Sequence, residues 1–166
     1  GQIATGTAKD FVRAPFGIAV RQGSPRPNTA SLSSLKQYLL EAKSVVFTDP
    51  ATGGVSGVFF ARVLDDLEIK SEILPKARLT SGVLNAEFVG SGEAQMAVQM
   101  KQEILAVPGV EFVEFPSEYR QSGAVVFTAS ISSRATAPPV AREFIEFITS
   151  PGARPILEAR HFEPAQ

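Results

Sequence analysis

A buried strand that runs into a glycine-rich turn and then into an apolar helix constrains this fold most. The strand is the β-favouring run Val-Val-Phe at residues 45–47, and it stops at Asp49 because Pro50 cannot continue a central strand. Asp49 is expected to cap the turn that follows. Gly53 and Gly54 permit positive φ and let the backbone come close to a ligand. The apolar pattern that follows predicts a helix over about residues 56–67 that packs against a sheet.

The start of this helix is a candidate anion site. A helix start leaves backbone N–H groups without partners and carries roughly half a positive charge. Thr52 and Ser56 place hydroxyl groups there, and Gly57 follows. Small residues at a strand-to-helix turn suit an oxyanion or a carboxylate. An ordinary βα loop with a capped helix has the same pattern, so this motif alone does not decide between them.

A second junction has the same character. Residues 80–82, Thr-Ser-Gly, predict another helix cap, and the short helix that follows is expected to end at residues 90–92. In a parallel sheet with right-handed crossovers, both helix starts lie at one edge of the sheet. We therefore expect Ser81 and Gly82 to bind the same ligand as Ser56. No titrating residue takes part, which favours a binding protein over an enzyme.

Strands and helices alternate along the rest of the chain, which predicts a mostly parallel α/β sheet flanked by helices. A C-terminal helix is expected from Pro138, because proline suits a first turn. A further helix is expected to restart at Ser150 and Pro151. The face of the C-terminal helix predicted to enter the core consists of Val140, Phe144, Phe147 and Ile148. The other predicted elements are a helix at 31–43 and strands at 16–20, 72–74, 77–79, 95–99, 110–115 and 124–129.

Composition excludes several classes of function. The 166 residues carry a net charge of −1, so no basic excess is present to neutralise the phosphates of a nucleic acid. There is no cysteine, which excludes disulfides and a thiol nucleophile, and the single histidine, His161, argues against a metal cluster or a catalytic triad. We predict no catalytic residue, no metal ligand and no cofactor. The first residues lack the pattern of a signal peptide and the chain does not begin with Met, so we expect a processed or incomplete product.

These motifs together resemble the extracellular solute-binding proteins of ABC transporters, in the molybdate-binding branch. The resemblance to the second lobe of that family rests on Asp49-Pro50, Gly53-Gly54 and Ser56-Gly57. Residues 92–99 are similar to the strand that returns to the first lobe, and residues 148–154 to the closing helices. The family implies a type II periplasmic binding fold, in which two α/β lobes joined by a two-strand hinge hold a solute between them.

On this resemblance, residues 20–98 form a complete ligand-binding lobe. Residues 1–19 and 99–166 supply the hinge strands and the remainder of the other lobe, most of which lies outside this chain. The expected ligand is a small oxyanion or carboxylate. Met100 stands near the place where molybdate-binding members have a tyrosine, so molybdate itself is not implied. The ligand-binding residues predicted from the motifs and the family are Thr52, Ser56, Gly57, Ser81, Gly82 and Gln99.

The resemblance also implies the partners and the location. An ABC permease is the expected protein partner, an incomplete lobe favours a homodimer, and the location is periplasmic or secreted. Two other functions stay open. A ligand-sensing domain of a regulator has the same lobe architecture, although no DNA-binding helix-turn-helix occurs in this sequence. A hydrolase that uses the glycine turn as an anion hole is the third, although no acid/base pair or partnered nucleophile is present. We predict a binding protein and not an enzyme.

Overall fold

In the computed structural model, residues 2–119 and 122–165 are described. The chain divides into two units. The large unit is Pro15–Ala124, and the small unit combines Gly1–Ala14 with Val125–Gln166. No helix among the described residues is both long enough and apolar enough to cross a bilayer.

Five strands build the sheet of the large unit. They are β1 (Lys9–Arg21), whose first residues belong to the small unit, β2 (Val45–Thr48), β3 (Ala77–Thr80), β4 (Met96–Met100) and β5 (Val110–Glu114). Their order is β3-β2-β4-β1-β5. β2 is parallel to β3 and β4, whereas β1 is antiparallel to β4 and β5. The predicted α/β sheet flanked by helices is confirmed, but its strand pairing is mixed and not mostly parallel. Strand direction depends on long-range pairing that local sequence does not encode.

Five helices accompany this sheet, at Leu32–Glu41 (α1), Val55–Asp66 (α2), Lys70–Ile73 (α3), Ala86–Ser91 (α4) and Lys101–Leu105 (α5). The prediction of a strand at residues 72–74 is wrong. Helix α3 occupies residues 70–73, and one 3-10 turn, Leu74–Lys76, leads into β3. Ile69 and Ile73, four residues apart, are both buried. That spacing is helical, and the three residues 72–74, of which two are apolar, are too few to distinguish a helix from a strand.

The core of the large unit forms around β2, as the opening motif predicts. Val45, Val46 and Phe47 are all buried, and the Phe47 ring meets Phe60 of α2 edge-on, with centroids 5.0 Å apart. On α1, Leu35 and Leu39 are fully buried, and the backbone N–H of Ser34 donates to the Ser31 hydroxyl, which caps the helix. Burial of these apolar side chains stabilises the unit.

The small unit contains most of β6 (Ala124–Ala129), helices α6 (Pro138–Ile148) and α7 (Arg154–Glu158), and β7 (Glu163–Pro164). β6 and β7 both pair with β1. Helix α6 begins at Pro138, as predicted. The further helix predicted after α6 is present as α7, but its predicted start at Ser150 and Pro151 is wrong, because these residues lie in a turn and α7 begins at Arg154.

The predicted core face of α6 is also wrong. Val140, Phe144 and Phe147 are 64%, 62% and 51% exposed, while Ile148 is half-buried. Ile145 is the residue of α6 that is buried, at 6% exposure. An apolar stripe shows that a helix has one side suited to a core, but it becomes buried only where another element packs on it.

Candidate functional site

A cleft of about 320 Å³ lies in the large unit where the parallel strands β2, β3 and β4 end. Three chain segments form its walls: the turn between β2 and α2, the loop before α4, and the junction of β4 with α5. The carboxyl ends of parallel strands are where α/β folds usually hold ligands. The residues that line the cleft are Thr48, Gly54, Val55, Ser56, Gly82, Val83, Leu84, Gln99, Met100 and Glu103.

The turn between β2 and α2 is stabilised by its own side chains. The carboxylate of Asp49 accepts a hydrogen bond from the N–H of Ala51 at 2.9 Å, which confirms the prediction that Asp49 caps the turn. The hydroxyl of Thr52 donates to the carbonyl of Asp49 at 2.7 Å, and Thr52 is exposed. Gly53 adopts a φ of 76°, the left-handed conformation that glycine tolerates best. The structure therefore places Thr52 outside the lining of the cleft.

Ser56 lies in the first turn of α2 and is 5% exposed. Its Oγ is 3.4 Å from Oγ1 of Thr48, which is a long hydrogen bond that leaves the hydroxyl able to turn towards a ligand. The residue that precedes the helix is Gly54, which has no side chain to cap the first turn. The cleft therefore brings together the Ser56 hydroxyl and a helix start with no side-chain cap.

Two glycines let α2 begin directly against the end of β2. A Cβ added at Gly57 would lie 2.0 Å from the carbonyl oxygen of Thr48, and one at Gly54 would lie 2.4 Å from Thr48 Cγ2. No side chain fits at such distances. Gly57 is buried by this packing and is not among the residues that line the cleft.

The second junction differs from the prediction. Residues 80–82 do not cap a helix, because α4 begins only at Ala86, after Asn85. The hydroxyl of Thr80 is used within the protein, since it donates to Oδ1 of Asn85. Ser81 and Gly82 lie in an exposed turn, with Gly82 at a φ of 69°. Gly82 lines the cleft and Ser81 does not.

Asn85 is a structural residue of this site that the sequence analysis missed. It is completely buried, and its Nδ2 donates to Oγ1 of Thr48 at 3.2 Å while its Oδ1 accepts from Thr80. Thr48 and Thr80 are opposite each other in the β2–β3 register, so Asn85 joins the ends of both strands. The available signal was an asparagine, a common residue at helix starts, directly before the apolar run of α4.

Gln99 lines the cleft from β4 and is 3% exposed. Its Nε2 donates to the carbonyl of Val83 at 3.2 Å, and its Oε1 accepts from the N–H of Ala86 at 3.1 Å. Both ends of the side-chain amide therefore bind the main chain of the loop before α4. This geometry holds the loop against β4 and fixes that wall of the cleft.

Glu103 is the second residue that the sequence analysis missed. Its Oε2 accepts a hydrogen bond from the N–H of Met100 at 3.2 Å. Burial raises the pKa of this carboxyl, and the hydrogen bond from Met100 opposes that effect. Glu103 is the one titratable residue among the described residues that line the cleft. Within residues 2–119 and 122–165, no group of three His, Asp or Glu side chains could bind a metal ion.

Three of the six predicted site residues, Ser56, Gly82 and Gln99, are thus brought together in one cleft. Thr52, Gly57 and Ser81 are close in sequence to this cleft but do not line it. Whether any of the six contacts a ligand stays a prediction.

Comparison with known proteins finds a family model of binding proteins and a curated relative that is named as an enzyme. A family model described as bacterial extracellular solute-binding protein matches residues 1–163. An aconitate isomerase of Pseudomonas sp is 29% identical over 165 residues, covering 99% of this chain and 61% of that protein. The chain therefore spans about three fifths of the length of this curated relative.

Two solved structures show the same fold. The substrate-binding domain assigned to a molybdenum ABC transporter of Clostridium difficile superimposes with a TM-score of 0.79 at 18% identity, covering 99% of this chain and 69% of that one. The periplasmic molybdate-binding protein of Azotobacter vinelandii gives a TM-score of 0.65 at 15% identity, covering 100% of this chain and 71% of that one. At these identities the likeness establishes the periplasmic-binding-protein-like fold that the sequence resemblance implies.

Proposed function

The chain belongs to the bacterial extracellular solute-binding proteins, and from that premise we propose that it binds a small oxyanion or carboxylate for an ABC importer. The observation that carries the proposal is the family match over residues 1–163. The geometry of the cleft supports it. The Ser56 hydroxyl and the uncapped start of α2 both offer hydrogen-bond donors to an anion.

The partners and the domain organisation follow as parts of the same proposal. An ABC permease is the protein partner, and the location is periplasmic or secreted. Residues 20–98 act as the ligand-binding lobe, with residues 1–19 and 99–166 supplying the hinge and part of the other lobe. A homodimer stays a prediction. The exposed Val140, Phe144 and Phe147 of the small unit are apolar surface that such contact would cover.

Titration calorimetry on the full-length protein with molybdate, sulfate, phosphate and small carboxylates tests the proposal. We expect at least one of these anions to bind, and Ser56→Ala to weaken that binding by about 1–3 kcal/mol through loss of a buried hydrogen bond. Ser33→Ala is the matched control, because Ser33 is an exposed hydroxyl residue of α1 outside the cleft. Unchanged affinity in Ser56→Ala argues against Ser56 as a ligand contact, and absence of binding by every anion contradicts the proposal.

A second candidate function is isomerisation of a small carboxylic acid. The observation that favours it is the 29% identity to an aconitate isomerase over 165 residues. Such a reaction moves a proton between carbon atoms and needs a general base within reach of the substrate. Glu103 is the carboxyl group that the cleft offers for this role. Interconversion of the cis and trans isomers of aconitate, followed by NMR, tests it, and Glu103→Gln should abolish any turnover.

A further inference from the structure

We propose that Glu103 sets the ligand class of the cleft, so that it favours anions carrying an O–H group of their own over fully ionised anions. Hydrogen phosphate and hydroxycarboxylates belong to the first class, and sulfate and simple dicarboxylates to the second. The inference rests on the proposed function, because it concerns which anions the same cleft accepts.

The position of Glu103 is the first support. It lines one wall of the cleft from α5, while Thr48 and Ser56 line another from β2 and α2. The hydrogen bond from the N–H of Met100 to Oε2 holds the side chain in place. Among the described residues, no hydrogen bond to Oε1 of Glu103 is formed, so that oxygen is available to a ligand.

The charges around the cleft are the second support. Neither α2, the loop at 82–84 nor β4 contributes a charged side chain to the described lining. The neighbouring cation on α5, Lys101, has its Nζ over the ring of Phe112, 5.7 Å from the centroid. The carboxylate of Glu103 therefore faces the cleft without a cation beside it in the lining.

The chemistry of the two walls then differs. Ser and Thr hydroxyls and backbone N–H groups can donate to the oxygens of an anion, whereas an ionised carboxylate can only accept. A fully ionised anion would place a charged oxygen against Glu103, and like charges in contact repel each other. An anion with an O–H group donates to Glu103 on one side and accepts from the other wall. Burial raises the pKa of Glu103, so the discrimination should weaken on acidification as the carboxyl becomes neutral and can itself donate.

Capping alone is the competing role for Glu103, because its Oε2 accepts the N–H at the start of α5. Glu103→Gln separates the two roles, since a glutamine oxygen can still accept that N–H while the charge is lost. Glu87→Gln is the matched control. Glu87 is an exposed residue of α4 that does not line the cleft, so it removes the same charge elsewhere.

The experiment compares two pairs of probes by titration calorimetry on the full-length protein at neutral pH. Phosphate and sulfate share a tetrahedral shape, and malate differs from succinate by one hydroxyl group. We expect the member with the O–H group to bind at least about tenfold more tightly in one pair, because a hydrogen bond to a charged acceptor contributes that much. Glu103→Gln should reduce that ratio to near one, and Glu87→Gln should leave it unchanged.

The outcomes distinguish this inference from the proposed function. Anion binding without preference in either pair, or a preference that Glu103→Gln leaves intact, overturns the role of Glu103 while the binding function stands. Failure of both wild type and Glu103→Gln to bind any of the four anions or molybdate overturns both. Binding of sulfate or succinate that appears only in Glu103→Gln supports the inference, because it shows that the carboxylate excludes fully ionised anions.

Discussion

The large and small units differ in how far their helices bury the apolar side chains that sequence patterns select. In the large unit, Phe59, Phe60, Val63 and Leu64 of α2 are all buried. In the small unit, Phe144 and Phe147 of α6 remain more than half exposed. Both helices were predicted from apolar stripes of the same kind. The difference shows that an apolar stripe specifies a helix reliably, but that burial is decided by which elements surround it.

The largest expected difference in stability is between variants of two phenylalanines, Phe60 on a helix of the large unit and Phe144 on a helix of the small unit. Phe60→Ala should lower the free energy of unfolding by about 3–5 kcal/mol, because Phe60 is fully buried against Phe47. Phe144→Ala should change it by less than about 0.5 kcal/mol, because the ring is 62% exposed. Urea denaturation followed by circular dichroism measures both. Similar losses for the two variants would show that α6 is packed against something in solution.

A second contrast concerns polar side chains. Asn85→Ala should cost about 1–3 kcal/mol, because it removes two hydrogen bonds that a fully buried side chain makes to the hydroxyls of Thr48 and Thr80. In the small unit, Thr128→Ala removes a hydrogen bond to Asp10 that is exposed to solvent, and less than about 1 kcal/mol should be lost. Thermal unfolding of the two variants beside wild type provides the measurement. A larger loss of stability in Thr128→Ala than in Asn85→Ala would contradict the prediction that the buried hydrogen bonds of the large unit contribute more.

A third contrast uses pH and two glutamates. Burial raises the pKa of Glu103 in the folded protein above the pKa in the unfolded chain. The folded state therefore favours the protonated carboxyl, and the stability that this supplies is fully present below the unfolded pKa and is lost as pH rises through the folded pKa. Glu103→Gln should therefore gain stability relative to wild type as pH rises from about 4 to 7. Glu143→Gln, on the exposed side of α6, serves as the control. Melting temperatures of the variants and wild type across this pH range test the prediction. A difference in melting temperature between Glu103→Gln and wild type that does not change with pH would contradict the desolvation argument.

The smallest expected effects concern one ion pair in each unit. Here the variant in the small unit should lose more stability than the variant in the large unit. In the small unit, the guanidinium of Arg13 is 3.6 Å from the carboxylate of Glu163, and the two side chains are 24% and 33% exposed. In the large unit, the ammonium of Lys70 is 3.0 Å from the carboxylate of Asp65, but the two side chains are 46% and 58% exposed. Glu163→Gln should cost up to about 1 kcal/mol and Asp65→Asn less than about 0.5 kcal/mol. Denaturation at low and high salt tests this. A loss for Asp65→Asn that persists at high salt would speak against simple surface pairing.

Local sequence predicted the elements correctly where a clear pattern of residue types lies in a segment that becomes buried in the fold. The strand at residues 45–48, the Asp49 cap and the helix from Val55 were all readable because proline, glycine and apolar periodicity agree there. The site was predicted less completely, since the cleft is assembled from segments far apart in sequence. The helix-start position of Asn85 does not reveal its contacts and Glu103 belongs to no distinctive motif, because their roles in the site arise only when β3 and β4 meet β2. Strand direction at β1 depends on the same long-range pairing.

One residue, Thr48, serves several structural purposes at once. Its carbonyl lies against Gly57, its methyl group against Gly54, and its hydroxyl accepts from Asn85 and approaches Ser56. A replacement of its side chain changes the contact with Gly54 and the hydrogen bonds with Asn85 and Ser56 together, so this wall has little freedom to vary. We therefore expect relatives that evolve towards a new solute to change the opposite wall, at Glu103 and residues 82–84, and to keep the end of β2 as it is.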